Sequence, residues 1–97
     1  MDKKDKTQAL KLLRRVMQQN PCNVVFSKHA EEEMDKDDLS KVDVLNVLLS
    51  PSARIEEPEF VRSSWRYRVK TERIVVVIVF SSSNDGVTVI TVWAIKK

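Results

Sequence analysis

Seven consecutive apolar residues, "IVVVIVF" from Ile74 to Phe80, restrict this chain more than any other stretch. Val and Ile are stiff at χ1 and suit a pleated strand, and a strand that is apolar at every position has to be covered on both faces. The run therefore predicts the centre of a sheet. It is far too short to cross a bilayer as a helix, which takes about 20 residues.

The neighbouring segments supply the flanking strands. "SWRYRVK" (Ser64 to Lys70) alternates Trp65, Tyr67 and Val69 with Arg66, Arg68 and Lys70, so an extended backbone puts apolar groups on one face and three cations on the other. Ala53 to Glu57 and Val87 to Ile95 have the same extended character, and the central strand spans Arg73 to Ser81. "KTER" and "SSSNDG" are the expected tight turns, which makes the last three strands an antiparallel meander.

The first half has helical spacing instead. Residues 5 to 19 repeat apolar side chains at Leu10, Leu13 and Met17, joined by Ala9, Leu12 and Val16, behind a capping-box pattern at Asp5 and Gln8. After a short extended piece, Asn23 to Phe26, Ser27 is placed to cap a helix running to about Lys36. Ser40 is placed to cap another that ends at Ser50-Pro51. The predicted fold is α+β: two to three N-terminal helices packed on a C-terminal antiparallel sheet of about four strands, in a single domain over residues 1–97. Helices on one face leave Val75, Val77 and Val79 on the other. Either the first helix wraps around to cover them or a second chain does, giving a homodimer.

Charge points to a class of partner. The net charge is only +3, but residues 1–20 hold six cations against two acids and residues 54–73 hold six against four, while most of the acid lies between Glu31 and Asp43. Segregation of this kind suits a polyanion such as RNA. Lys11, Arg14, Arg15 and Gln18 share one side of the first helix, which is either a solvated face or a nucleic-acid contact. Cys22 is the single cysteine, so no internal disulfide forms and a reducing, cytoplasmic setting is expected. There is no P-loop, no dinucleotide fingerprint and no His/Cys cluster at metal spacing, so no cofactor or metal is expected, and no membrane segment.

The candidate chemistry rests on few residues. Arg66, Arg68 and Lys70 stand about 6.5 to 7 Å apart along one strand face, close to the separation of neighbouring phosphates in a nucleic acid strand, and a guanidinium fork holds two phosphate oxygens. His29, the sole histidine, is a candidate general acid or base, or else a structural ring. The ladder has a bland alternative too, a solvated outer face.

The order "FSKHAEEEM", "SKVDVLNVLLSP", an acidic extended piece, "WRYRVK", "RIVVVIVF" and "VTVITVW" resembles a small uncharacterised bacterial family. Its members open a helix with Ser-x-His-Ala and close with a Thr-Val-aromatic strand. The resemblance spans Val25 to Trp93. That family is similar to the RelE-like toxins of type II toxin-antitoxin systems, in their BrnT and MqsR branches. The resemblance implies a RelE-like fold, a metal-independent mRNA endoribonuclease and silencing by a cognate antitoxin. It further implies that His29 matches the family's histidine and that Arg66, Arg68 and Lys96 occupy phosphate-binding positions. Arg66 departs from the neutral amide that MqsR-like toxins tend to carry there. On this reading His29, Arg66, Arg68 and Tyr67 form the catalytic set, with Tyr67 replacing His29 as proton carrier if needed. Lys70, Arg73, Lys96, Arg14 and Arg15 bind RNA. The alternative function is a non-catalytic module that binds protein or RNA through the basic and apolar sheet surface.

Overall fold

A computed structural model describes residues 3–20 and 22–95. Helix α1 spans Lys6–Gln19, where Asp5 accepts from the Gln8 amide at 2.8 Å and the Gln8 side chain accepts in return from the Asp5 amide. One stripe of α1, Ala9, Leu12, Leu13, Val16 and Met17, is buried. Helix α2 (Lys28–Lys36) starts at the Ser27 cap, and α3 (Lys41–Leu49) at a reciprocal Ser40 and Asp43 capping box. Each cap satisfies an amide that the first helical turn leaves without a partner.

The sheet is larger and less regular than the sequence predicts. It has six strands: β1 (Val24–Phe26), β2 (Arg54–Ile55), β3 (Glu59–Val61), β4 (Ser64–Lys70), β5 (Ile74–Phe80) and β6 (Val87–Ala94). Their order is β1-β6-β5-β4-β2, and β3 pairs with the other end of β4. The β4, β5 and β6 meander is antiparallel as expected, with β5 inside. Two departures stand out: β1 joins parallel to β6, so the sheet is mixed, and the Ala53 to Glu57 strand shrinks to two residues.

Tyr67 and Val69 of β4, Val76, Ile78 and Phe80 of β5, and Val87, Val89 and Val92 of β6 meet Leu13, Val16, Met34, Val44 and Leu48 of the helices in one core. All three helices bury residues in that cluster, so all three cover the same face, and α1 packs beside α3 and β2 instead of wrapping around. The opposite face carries Val75, Val77 and Val79 with no helix of the described residues over it. Val75 and Val77 are nonetheless buried, because Arg68, Lys70, Thr91 and Trp93 stand beside them across the strands. Long side chains covering apolar floor while keeping charge in water account for this.

A bulge in β6 directs that second face. Val77 pairs with Thr91 but Ile78 pairs with Val89, which leaves Ile90 as an extra residue. Strict alternation from Val87 would send Thr91 and Trp93 into the core. The inserted residue turns them onto the open face and leaves Val92 inside. The Ser27 hydroxyl donates to the freed Ile90 carbonyl at 2.9 Å while accepting from the Ala30 amide at 3.0 Å.

Gly86, the sole glycine, opens β6. A Cβ there would stand 2.7 Å from the Asn23 carbonyl oxygen, which accepts the Val87 amide at 3.0 Å and starts the β1 and β6 pairing. Gly86→Ala is therefore expected to push β1 from its register and cost about 1–3 kcal/mol, read as a lower denaturant midpoint at unchanged m-value. In the same turn, hydrogen bonds from the Ser83 and Ser81 hydroxyls hold the Asp85 carboxyl below its ordinary value.

Candidate nucleic-acid interface

The open face acquires its shape from a hairpin. Arg62 and Ser63 both have positive φ, 50° and 66°, and form a two-residue loop of the mirror-image type that matches strand twist. This loop sets Val61 opposite Ser64 and Glu59 opposite Arg66. Glu59 thus stands on the cation side of β4, where its Oε1 accepts from Arg68 Nη2 at 2.9 Å. Both partners are well exposed, so the pair adds little to stability and chiefly fixes where the two groups point. From β6, Trp93 reaches over β5, and the Arg68 guanidinium carbon lies 6.0 Å from its ring centroid.

Between them lies a shallow cleft of about 140 Å³, lined by Glu59, Val61, Arg66, Arg68, Thr91 and Trp93 over Val77. Arg66 differs from its neighbour. Its Nε is buried and has no hydrogen-bond partner among the described residues, and no carboxylate there pairs with it. An unmet buried donor on a charged group costs more than the roughly 1–3 kcal/mol of a neutral one, so the cleft holds a cation ready for an acceptor.

The remaining sequence candidates do not gather here. Lys70 shares the face but stands outside the cleft, opposite Arg54. Arg73, in the β4 to β5 turn, lines a separate groove of mixed sign with Asp43, Arg54 and Glu72. Arg14 and Arg15 are exposed on α1, on the helix side of the sheet, and Arg14 donates to the Pro51 carbonyl at 3.4 Å. His29 is exposed on the first turn of α2, which packs over β6 on the helix side of the sheet, while Arg66 and Arg68 belong to β4 with β5 between. Lys96 lies outside the described residues.

Tyr67 requires a correction. Alternation places it on the core face, 2% exposed, with its ring edge-on to Phe80 at 5.3 Å and its hydroxyl accepting from the Lys4 amide at 2.9 Å. It points away from the cations and holds the chain ahead of α1. Tyr67→Phe is expected to cost about 0.5–1.5 kcal/mol in thermal or denaturant unfolding and to leave RNA binding unchanged.

Two residues of the cleft escape a reading of the sequence alone. Glu59 depends on a hairpin with no Asn-Gly signal. Trp93 depends on the β6 bulge, for which the adjacent apolar pair Val89-Ile90 is the one visible hint. Trp65, the other exposed-looking aromatic, is spent on the helix face, against Phe60 at 5.0 Å and under the Lys3 ammonium at 5.4 Å.

A family model described as a domain of unknown function, DUF4258, matches residues 26–94. The chain belongs to the DUF4258 family. The matched DUF4258 segment runs from the end of β1 through β6, so it contains the cleft and leaves α1 outside. No curated protein and no solved structure matches the chain. Within the DUF4258 segment, Ser27 caps α2 and ties it to the bulge while Ala30 is fully buried, so two positions of Ser27-Lys28-His29-Ala30 have structural work and His29 has none on view. Among the described residues no group of three or more His, Cys, Asp or Glu side chains is placed to hold a metal, and no helix is long and apolar enough to cross a membrane.

Proposed function

We propose that this DUF4258 chain binds single-stranded RNA on its open sheet face and cleaves it there without a metal, as the toxin of a type II toxin-antitoxin pair. The observation that carries the reading is the unmet Arg66 Nε in a cleft walled by Glu59, Arg68 and Trp93. A phosphate accepts from Arg66, Arg68 holds the charge beside it, and a base stacks on Trp93, the one aromatic ring that the register puts on this face among the described residues. Glu59 takes the 2′-OH proton. The 2′ oxygen then attacks phosphorus, the bond to the 5′ oxygen breaks, and water protonates the leaving oxygen. The products are a 2′,3′-cyclic phosphate and a 5′-OH end. Arg66 and Arg68 stabilise the pentavalent charge, and a positioned base contributes about 10²- to 10⁴-fold in rate. On this reading the cognate antitoxin silences the enzyme by covering the same face.

The test is cleavage of single-stranded RNA in excess chelator. Cyclic-phosphate ends are expected, with Glu59→Gln slowing the reaction about 10²-fold or more while RNA affinity holds. Intact RNA in every assay, free or on ribosomes, sinks the activity. Undiminished cleavage by Glu59→Gln sinks the assignment of the base.

A second reading is binding without cleavage. The ion pair to Arg68 favours it, because it engages the one carboxylate that lines the cleft. Salt-sensitive binding with no cut products is its signature.

A further inference from the structure

We propose that the outer side of α1 is a second RNA contact, which holds the phosphate backbone without reading sequence, so that the chain grips its RNA at two places on opposite sides of the sheet. The proposal rests on the RNA reading above. Its support is separate from the cleft.

A groove of about 580 Å³ runs along α1, and its charged lining among the described residues is Lys3, Lys4, Lys11 and Arg15, with Gln8 and Asn84 as neutral polar groups and no carboxylate. A second hollow of about 370 Å³ follows the other flank of the helix and takes its charge from Lys6, Lys11, Arg14 and Arg54, again without an acid among the described residues. Lys11 belongs to both, so the two form one basic strip around the exposed half of α1. Lys3 and Lys6 are engaged with Glu57, at 3.3 and 3.9 Å. Among the described residues no carboxylate pairs with Lys4, Lys11, Arg14, Arg15 or Arg54. Asp5, the acid nearest in sequence to the cations of α1, accepts from the Gln8 amide as the helix cap. Such a surface attracts a polyanion and repels its own copy.

The occupant is a nucleic acid backbone and not a lipid surface. A helix that lies in a membrane interface inserts its apolar side, and here Ala9, Leu13, Val16 and Met17 are buried in the core, leaving cations and amides outward. There is no exposed aromatic ring among the groove residues to stack a base, so the contact is with phosphates and indifferent to sequence. The α1 part of the strip lies N-terminal to the matched family segment, while Arg54 and Asn84 lie within it.

The opposite placement sets a length requirement. RNA long enough to pass around the sheet edge engages both surfaces and gains affinity by linkage, while a short oligomer engages one. The experiment measures dissociation constants of a single-stranded pentamer and a 20-mer against salt concentration, for the wild-type chain, Lys11→Glu/Arg15→Glu and the milder Lys11→Gln/Arg15→Gln. Both positions are exposed, and a thermal midpoint for each variant checks folding. The expected result is a loss of roughly tenfold or more for the 20-mer with the charge reversal and a smaller loss with the neutral pair. The salt slope falls by about 1 to 2, as for two phosphate contacts on a single strand, and pentamer binding does not change. Unchanged 20-mer affinity and slope in both folded variants overturns the second contact. Loss of 20-mer binding in these variants, together with no pentamer binding by any protein, keeps the α1 contact and overturns the cleft instead.

Discussion

Arg66→Ala is expected to lower both RNA affinity and cleavage by about 10²-fold or more, while the chain folds as well as before. The asymmetry follows from the partners. Arg68 spends its fork on Glu59 and its plane on Trp93, but Arg66 has neither, and its Nε is buried without an acceptor. Removing the side chain removes an unmet donor, so the folded state loses no hydrogen bond among the described residues and stability is expected to be unchanged or slightly higher. Among the described residues that line the cleft, a phosphate loses the one cation without an ion-pair partner. Arg66→Lys restores charge without the planar fork, so it recovers part of the affinity and less of the rate. Filter binding and a single-turnover cleavage assay, beside a melting curve, read all three quantities. Full activity in folded Arg66→Ala would place the chemistry elsewhere.

Ile78→Ala is expected to be the most damaging single change in the core. Ile78 is fully buried in the middle of β5, opposite Tyr67 on β4 and Val89 on β6. Truncation removes transfer energy and leaves a cavity among neighbours fixed by the sheet, at a cost of about 2–5 kcal/mol. In a domain of this size each kcal/mol lowers the melting midpoint by about 4–8 °C, and total stability is only about 5–15 kcal/mol. The variant is therefore expected to melt at least roughly 10 °C lower, in calorimetry or by circular dichroism. A shift of a degree or two would mean that the face bearing Ile78 is not the main core.

The particular residues show what a sequence of this kind makes legible. "IVVVIVF" is readable because a strand apolar at every position belongs inside a sheet, where five of its seven residues are buried, and α1, α2 and α3 are readable because Asp5, Ser27 and Ser40 each precede an apolar stripe at helical spacing. Alternation also separates Tyr67 and Trp65 from the cations correctly. The cleft is less legible because its parts come from register. Arg62-Ser63 turns a hairpin with none of the residues that usually favour positive φ, so β3 and Glu59 give no local signal. Trp93 belongs beside Arg68 only because Ile90 is inserted. Parallel pairing of β1 is a non-local choice, set by Gly86 admitting the Asn23 carbonyl and by Ser27 reaching the bulge. His29, the sole histidine, stands exposed in a motif whose members Ser27 and Ala30 are structural.

The most direct test is a nuclear magnetic resonance titration that follows the Arg66 Nε–H signal as a short single-stranded RNA is added. If the open sheet face is the RNA site, that signal shifts in step with saturation as the donor gains an acceptor, and the Trp93 indole signal moves with it. An Arg66 Nε–H that stays fixed while RNA saturates the protein, with shifts confined to other surfaces, would contradict it.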